Sequence, residues 1–285
     1  MQERIQRILE NPKLALSVHS DFIHTFKRLG LPHSKADKLS SQVLQILGSK
    51  NSLEHSESKI LGLLEQTKIR QKNGKTLTLP QKLQEKLSNR AHLIFLQIAP
   101  HLKGIDGKVL DFGCGDGQVT HLISQKLGLD VEGIDVKHYP ARHVKVPIGL
   151  FDGKKVNAKP GTYSAAVITN VLHHESENEL ILKELKRLRI KKLVIIETVP
   201  VGKTPKEILL DRERTFMNDH LYNRLFHSAD IPVPGTYETA KGWIERFKKI
   251  GYRVSHSQDL GFDQPTIRDS HHLLVFELVT KKYRK

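Results

Sequence analysis

The residues whose types and spacing most clearly indicate a binding site lie in one seven-residue stretch. They are Asp111, Gly113, Gly115 and Gly117. Glycine permits the left-handed backbone of a tight turn and lets a ligand approach main-chain N–H groups closely. The stretch overlaps an apolar run that begins at Val109 and precedes an amphipathic segment, Gln118 to Leu127. A strand, a glycine-rich turn and a helix start in this order predict a site for a nucleotide-like ligand.

The glycine spacing distinguishes this loop from the dinucleotide fingerprint G-x-G-x-x-G, because Gln118 stands where that fingerprint has its third glycine. The pattern Asp-x-Gly-x-Gly-x-Gly instead resembles the first motif of class I S-adenosylmethionine-dependent methyltransferases. S-adenosylmethionine carries a sulfonium and an ammonium and has no pyrophosphate, so a carboxylate beside the loop is favourable. The alternative is a tight strand-to-helix turn in another α/β protein.

The resemblance implies further cofactor-binding residues at the ends of the next two strands. Asp135 ends an apolar run about 20 residues beyond the glycines, which is the spacing of a ribose-binding carboxylate. Phe151 and Asp152 follow a predicted third strand, Val144 to Leu150, and match by order the residues that contact adenine in the family. The alternatives are a solvated loop aspartate at position 135 and an ordinary Asp-Gly turn at position 152.

A fourth match lies at the carboxyl end of a predicted strand, Ala165 to Thr169. Asn170 corresponds to the Asn or Asp that precedes Val-Leu-His-His in the family, although Ser164 stands where an Asp is usual. His173 and His174 follow, and a histidine that titrates near neutrality is a candidate general base. Alternatively, one of the pair packs against or caps the next helix.

Glu197, at the end of the predicted fifth strand from Leu193 to Thr198, is a second candidate base. It could equally form an ion pair with Arg214. Cys114 lies between two glycines of the loop, and we expect it to be a small spacer rather than a nucleophile.

The order of elements predicts the fold that positions these residues. Strands and helices alternate from Val109 onward, which predicts a doubly wound, mostly parallel, seven-stranded Rossmann-like sheet. Residues 105–285 would form this methyltransferase domain, with a terminal antiparallel strand at Leu273 to Val279 and a capping box of Ser176 and Glu179 before a helix. Residues 1–104 are expected to be helical throughout.

Residues 201–242 interrupt the alternation and are predicted to form a lid or pocket wall over the substrate. This segment is too polar and aromatic for a plain core and too rich in Phe, Tyr and Leu for a disordered linker. Its candidate contacts are Arg214, Asn218, His220, Tyr222, Asn223 and His227. The alternative is a helical cap that binds nothing.

Composition restricts the partners and the compartment. The chain has 46 Lys and Arg against 31 Asp and Glu, a formal net charge of +15, which favours nucleic acid or another polyanion as a possible partner. No apolar run approaches the roughly 20 residues of a membrane span, and no secretory signal or structural zinc spacing is visible. We expect a soluble, cytoplasmic protein without a metal site.

The predicted function is methyl transfer from S-adenosylmethionine to a small-molecule acceptor by in-line displacement. The alternative acceptor is tRNA or rRNA, docked by the basic first third of the chain, and a non-catalytic binding module is a third possibility. Enzymes that methylate base nitrogens of RNA often carry Asn-Pro-Pro-Tyr after the fourth strand, where this chain has Asn-Val-Leu-His. Enzymes that methylate a pyrimidine carbon of RNA often use a cysteine nucleophile, but the sole cysteine here lies in the cofactor loop. Both features favour a small-molecule acceptor.

Overall fold

The structure is a computed structural model that describes residues 1–137, 141, 143–175, 178–226, 232–264 and 267–279. It divides into two units. The first comprises residues 1–87, 200–235 and 262–270, and the second comprises residues 88–199, 236–261 and the chain from 271 onward. Over the described residues, no helix has both the length and the apolar character that crossing a membrane requires.

The helices are, in chain order, α1 Gln2–Glu10, α2 Pro12–Leu29, α3 His33–Leu47, α4 Leu53–Gln66, α5 Leu79–Leu102, α6 Gln118–Leu127, α7 Asn178–Leu188, α8 Pro205–His220 and α9 Ala240–Lys249. A short 3₁₀ turn spans Leu172–His174, and a π-helical segment spans Leu221–Phe226. The strands are β1 Lys68–Arg70, β2 Thr76–Thr78, β3 Val109–Phe112, β4 Val131–Asp135, β5 Ile148–Leu150, β6 Ala165–Thr169, β7 Lys192–Thr198, β8 Tyr252–Gly261 and β9 His271–Leu278.

Helix boundaries in the first unit follow from local capping chemistry. The Asn11 side chain accepts hydrogen bonds from two backbone N–H groups at the start of α2, and Gly30 ends that helix with φ +112°. Helix α8 begins with a capping box, in which Thr204 and Glu207 each satisfy a backbone N–H of the other residue. Pro205 occupies the first turn of α8, where its missing N–H would have no helical partner in any case.

The prediction that residues 1–104 are helical throughout is wrong at residues 68–78, where β1 and β2 form an antiparallel hairpin. Ile69 pairs with Leu77, and both side chains are buried, whereas their strand neighbours are more exposed. The two-residue alternation, with Asn73-Gly74 between the strands, is a hairpin signal that outweighs helix propensity. Pro80 lies in the first turn of α5, where a helix does not need the missing N–H group.

Helix α8 contributes a buried polar cluster to the first unit, and this cluster includes three residues expected to contact substrate. The Arg214 guanidinium hydrogen bonds to Asp21, and Asn218 Nδ2 donates to Asp21 at 3.1 Å and to Asp269 at 2.9 Å. His220 Nε2 lies 2.8 Å from Glu57 Oε1. The three side chains are therefore engaged with carboxylates of their own unit.

The other predicted lid contacts are Tyr222, Asn223 and His227. Asn223 donates to Asp219 through its side-chain amide, and Tyr222 is buried. His227 lies outside the described residues, as does Ser176 of the predicted capping box. The lid itself stays a prediction.

The second unit contains the predicted sheet. Its strand order is β5-β4-β3-β6-β7-β9-β8, and the strands are parallel except for β9, which pairs antiparallel with both of its neighbours. This arrangement confirms the doubly wound, mostly parallel, seven-stranded sheet. Strand β5, predicted from Val144 to Leu150, is shorter than predicted. It begins at Ile148, because Pro147 has no N–H group to donate to the strand ladder.

Alternating side chains along the central strands bury both faces of the sheet. Leu110 and Phe112 belong to one core cluster, which includes Ile181 of α7 and Trp243 of α9. Val109 belongs to the other cluster, together with residues of α5 and α6. Near-continuous apolar strands covered by helices on both faces are what a parallel sheet requires.

The chain reverses its direction of winding between β3 and β6. From β3 it proceeds outward through β4 to β5, and then it returns to β6 and proceeds the other way to β7. Ligands in open α/β sheets bind outside the carboxyl ends of the strands at such a switch point. The fold therefore brings together the loop after β3 and the segment after β6.

Candidate active site

The glycine loop after β3 has the backbone that only glycine adopts readily. Gly113, Gly115 and Gly117 have φ angles of +75°, +55° and +76°. A Cβ on Gly113 would lie 2.3 Å from Cγ2 of Val171, which follows β6, so the two segments at the switch point are in direct contact. A side chain at position 113 is therefore excluded both by backbone strain and by lack of space.

Asp111 lies beneath this loop rather than on its surface. Its Oδ2 accepts a 2.6 Å hydrogen bond from Thr120 Oγ1 of α6, and Oδ1 has no partner within the described part of the chain. Burial raises the pKa of the Asp111 carboxyl to about 7, and the nearby Asp135 carboxylate adds to the increase. Asp111 thus links β3 to α6, and sequence analysis did not identify Thr120 as its partner.

We expect Asp111→Asn to change how stability depends on pH. Because the pKa of Asp111 is raised by folding, its contribution to stability is complete below pH 4 and is lost as the pH rises towards 7. The variant keeps an oxygen for Thr120 and does not ionise. Relative to wild type it should therefore gain about 2–3 kcal/mol of unfolding free energy between pH 5 and pH 8.

Urea unfolding at the two pH values measures this gain. Asp269, whose pKa burial also raises to about 7, is present in both proteins and cancels in the comparison. An equal difference between variant and wild type at pH 5 and pH 8 would show that the Asp111 carboxyl is not destabilised by burial.

Asp135, at the end of β4, connects that strand to the glycine loop. Its Oδ2 accepts a 2.7 Å hydrogen bond from the Gly115 N–H, and its Oδ1 accepts one of 3.2 Å from the Lys137 N–H. The side chain is half-buried, and the next residue, Val136, is 52% exposed. The carboxylate therefore lies at the carboxyl edge of the sheet, beside the loop, as the sequence predicted.

The end of β5 presents apolar surface and an exposed acid. Leu150 is 70% exposed, and Phe151 lies edge-on to Phe112 with ring centroids 5.1 Å apart. Asp152 Oδ1 accepts hydrogen bonds of 2.8 Å from the N–H groups of Lys154 and Lys155, and these bonds lower the pKa of its carboxyl. Asp152 thus stabilises a turn, which is the structural role that the sequence left open.

Asn170, directly after β6, has a strained backbone and an unpaired amide. Its φ is +55°, a left-handed conformation that is uncommon for residues other than glycine and that asparagine tolerates better than most. The Asn170 N–H donates to the Ile196 carbonyl at 2.8 Å, and its Oδ1 accepts from Thr198 Oγ1 at 3.4 Å. Its Nδ2 is buried and has no hydrogen-bond partner in the described structure, so it is available to a ligand.

His173 and Glu197 form a buried pair at the ends of β6 and β7. His173 Nδ1 lies 2.7 Å from Glu197 Oε2, while Glu197 Oε1 accepts from the N–H groups of Val171 and Leu172 at 2.8 and 2.7 Å. Glu197 is bonded to His173, whereas Arg214, its other predicted partner, bonds Asp21 and Asp211. The His174 ring lies 4.3 Å from that of His173.

Two residues that sequence analysis missed hold His173 in place. Tyr237 stacks on the His173 ring with centroids 5.2 Å apart, and Thr236 Oγ1 donates to the His173 carbonyl at 3.0 Å. Both lie more than 60 residues along the chain, so no local spacing indicates the contact. This packing fixes the orientation of the imidazole relative to the sheet.

Cys114 has the properties of a spacer. Burial raises the pKa of its thiol, and the Asp111 and Asp135 carboxylates raise it further, which disfavours the nucleophilic thiolate. A Cβ on Gly133 of β4 would lie 2.6 Å from the Cys114 sulfur, so the loop and the strand are closely packed.

Comparison with known proteins identifies the family. The family model described as a methyltransferase domain matches residues 79–257, which is more than half of the chain. The chain belongs to the methyltransferase domain family. It is an S-adenosylmethionine-dependent methyltransferase of class I, as the glycine and acid spacing predicted. No protein of curated function matches it.

Solved structures with a similar fold come from several organisms. An S-adenosylmethionine-dependent methyltransferase from Methanosarcina mazei is 15% identical, with 65% of this chain and 98% of that chain covered at a TM-score of 0.49. One from Mesorhizobium loti is 12% identical, with coverages of 64% and 95% and a TM-score of 0.47. The YcgJ protein from Bacillus subtilis is 12% identical, with coverages of 66% and 99% and a TM-score of 0.49. The family assignment rests on the family model.

Proposed function

We propose that the carboxyl edge of β3, β4, β5 and β6 binds S-adenosylmethionine through the residues that the sequence indicated. The cofactor supplies an activated methyl group. The cofactor would pack against the backbone of the glycine loop at Gly113, Gly115 and Gly117. Asp111 would position that loop through its hydrogen bond with Thr120. Asp135 would bind the ribose hydroxyls, since a carboxylate offers two acceptor oxygens.

The chemistry of the remaining residues supports this assignment. The unpaired Nδ2 of Asn170 is a buried donor, and a ligand with an acceptor such as a carboxylate would satisfy it. Val136, Leu150 and Phe151 offer apolar surface on the Asp135 side, which suits an adenine ring. Asp152 remains the proposed partner of the adenine amino group, although one of its oxygens already stabilises a turn.

Asp135→Ala should weaken the binding of S-adenosylhomocysteine by about 1–3 kcal/mol, since it removes a charge-assisted, partly buried hydrogen bond. Isothermal titration calorimetry measures the change. Asp130→Ala is the matched control, because Asp130 is exposed just before the same strand and should leave the affinity unaltered. Equal affinity of a folded Asp135→Ala variant and wild type would remove the ribose role from Asp135.

We further propose that His173 is the general base that accepts a proton from the methyl acceptor. If Nδ1 donates to Glu197, Nε2 is the nitrogen that would accept the proton, and the two backbone N–H groups hold Glu197 in the orientation that this requires. His174, which follows His173, would contact the acceptor without taking its proton. The acceptor would therefore carry a protic nucleophile, a hydroxyl or an amine.

The acceptor that we propose is a small molecule. The segment after β6 has Val-Leu-His-His where many enzymes that methylate nucleic-acid base nitrogens have Pro-Pro-Tyr, and the buried, protonated Cys114 is unsuited to attack a pyrimidine carbon. RNA is the second candidate, because the first unit exposes a basic hairpin at residues 68–78. Both candidates share the same cofactor site.

Transfer of labelled methyl groups distinguishes the two acceptors. The purified chain, incubated with methyl-labelled S-adenosylmethionine, is offered a low-molecular-mass cell extract and, separately, total tRNA and rRNA. We expect incorporation into the small-molecule fraction, and no dependence of that turnover on Lys72, Lys75 and Lys82. Incorporation into RNA would replace the small molecule by the second candidate, and incorporation into neither would contradict both.

A further inference from the structure

We propose that the hairpin of β1 and β2, with the turn that joins them, is a docking surface for the phosphodiester backbone of RNA. Its residues carry four positive charges, on Lys68, Arg70, Lys72 and Lys75. The chain has no acidic residue between Glu65 and Glu85, so this segment is uniformly basic. A concentrated positive surface of this kind binds polyanions by releasing their counterions.

The strand register places Lys68 and Arg70 on one face of the hairpin. Ile69 and Leu77 are paired and buried, and they cover the face towards the body of the first unit. The alternate positions pair Lys68 with Thr78 and Arg70 with Thr76, on the opposite face. Residues two apart along a strand are about 7 Å apart and point the same way, so the cations form a short row.

The turn adds two more exposed lysines, Lys72 and Lys75, to the basic surface of the hairpin. The Gln71 N–H donates to the Lys75 carbonyl at 2.8 Å, and the Lys75 N–H donates to Asn73 Oδ1 at 3.1 Å. These bonds hold Lys72, Asn73 and Lys75 at an exposed tip. The backbone of the tip is therefore ordered by its own hydrogen bonds, and its lysine side chains extend from it into solvent.

None of the four cations forms a salt bridge within the described part of the chain, and Lys68 Nζ donates to the Glu65 carbonyl at 3.4 Å. Glu85 is the acid beside the turn, and it is engaged mainly by Lys82 at 2.9 Å and by the Gln71 amide at 3.0 Å, with a weaker charge interaction from Lys75. The hairpin thus retains most of its positive charge, in contrast to Arg214 of α8 and Arg224 of the π-helical segment, which are bonded to carboxylates.

The side chains around the cations favour RNA over a membrane or a protein. The exposed positions of the hairpin contain no apolar or aromatic residue, whereas a membrane-binding surface needs apolar side chains and a protein interface needs an apolar centre. They contain Thr76 and Asn73, which can bond phosphate oxygens and also the 2′-hydroxyl that distinguishes RNA from DNA. This proposal holds whether RNA is the methyl acceptor or only a docking partner.

Fluorescence anisotropy of the full-length chain with a labelled 20-nucleotide RNA hairpin tests the proposal. The test variant is Lys68→Gln, Arg70→Gln, Lys72→Gln and Lys75→Gln combined. The matched control combines Lys13→Gln, Lys35→Gln, Lys38→Gln and Lys50→Gln, which removes the same charge from exposed positions of the same unit. We expect the test variant to lose roughly 30-fold in affinity at about 50 mM salt and the control to lose little.

The salt dependence supplies a second measurement. If four phosphate contacts are lost, the slope of log affinity against log salt concentration should decrease by about 3 in the test variant. Equal losses in both variants would overturn the proposal, because they would show attraction by net charge alone. Equally tight binding of DNA of the same sequence, or binding of phosphatidylserine vesicles without RNA binding, would overturn the choice of RNA.

Circular dichroism establishes that the variants are folded. If the four-residue variant melts early, Lys72→Gln with Lys75→Gln replaces it, because these two residues lie in the turn and outside both strands. This double variant should show about half the decrease in slope that is expected for the four-residue variant. A slope equal to that of wild type would overturn the proposal. Binding is measured without cofactor, so failure here leaves the methyl-transfer proposal unaffected.

Discussion

Gly115→Arg is expected to abolish the binding of S-adenosylhomocysteine. Gly115 has a φ of +55°, a conformation that costs a residue with a Cβ about 1–2 kcal/mol, and its N–H donates to Asp135. A long side chain would also occupy the space between the loop and the ligand. Calorimetry should therefore detect no heat of binding for a variant that remains folded.

Gly128→Arg is the control for this substitution. Gly128 ends α6 with a φ of +67°, so the same residue meets comparable backbone strain there, but open space surrounds the position. We expect this variant to bind S-adenosylhomocysteine as tightly as wild type does. Retained binding by folded Gly115→Arg would show that the glycine loop does not contact the cofactor.

His173→Asn is expected to lower kcat by about 10²- to 10⁴-fold, the usual contribution of general acid–base catalysis. The physical reason is that the Glu197 carboxylate, 2.7 Å from Nδ1 of His173, orients the imidazole for proton transfer. Labelled methyl transfer to whichever fraction wild type modifies measures the rate, and calorimetry checks that cofactor affinity is retained.

Two further variants separate catalysis from packing. His174→Asn is the matched control and should lower kcat by less than about tenfold, since proton transfer would proceed through His173. Glu197→Gln should reduce kcat and shift its pH profile, because Glu197 acts by positioning His173. Equal losses for both histidines, with an unaltered pH profile for Glu197→Gln, would assign the pair a structural role.

The sheet could be predicted because each central strand and its flanking helix carry local signals. The apolar runs at Val109, Ala165 and Leu193 are long enough to be recognised, and their alternation with amphipathic segments determines a parallel order. The hairpin at residues 68–78 was not predicted because each of its strands has only three residues, and each contains a single apolar residue. Their buried pair, Ile69 and Leu77, is evident only from the register.

The site could be predicted as far as short spacings reach. The loop glycines and Asp135 lie within one βαβ unit, and the structure brings them within hydrogen-bonding distance. The partners of His173 and Asp111 could not be predicted, because Tyr237, Glu197 and Thr120 contact them through tertiary packing rather than through a fixed sequence interval. The same limit applies to Arg214 and Asn218, whose carboxylate partners belong to distant segments.

Calorimetric titration of the wild-type chain with S-adenosylhomocysteine, followed by titration with NAD, tests the central claim most directly. The glycine spacing and Asp135 predict binding of S-adenosylhomocysteine at one site per chain, with no heat from NAD under the same conditions. Binding of NAD without a response to S-adenosylhomocysteine would contradict the assignment of this site to the methyl donor.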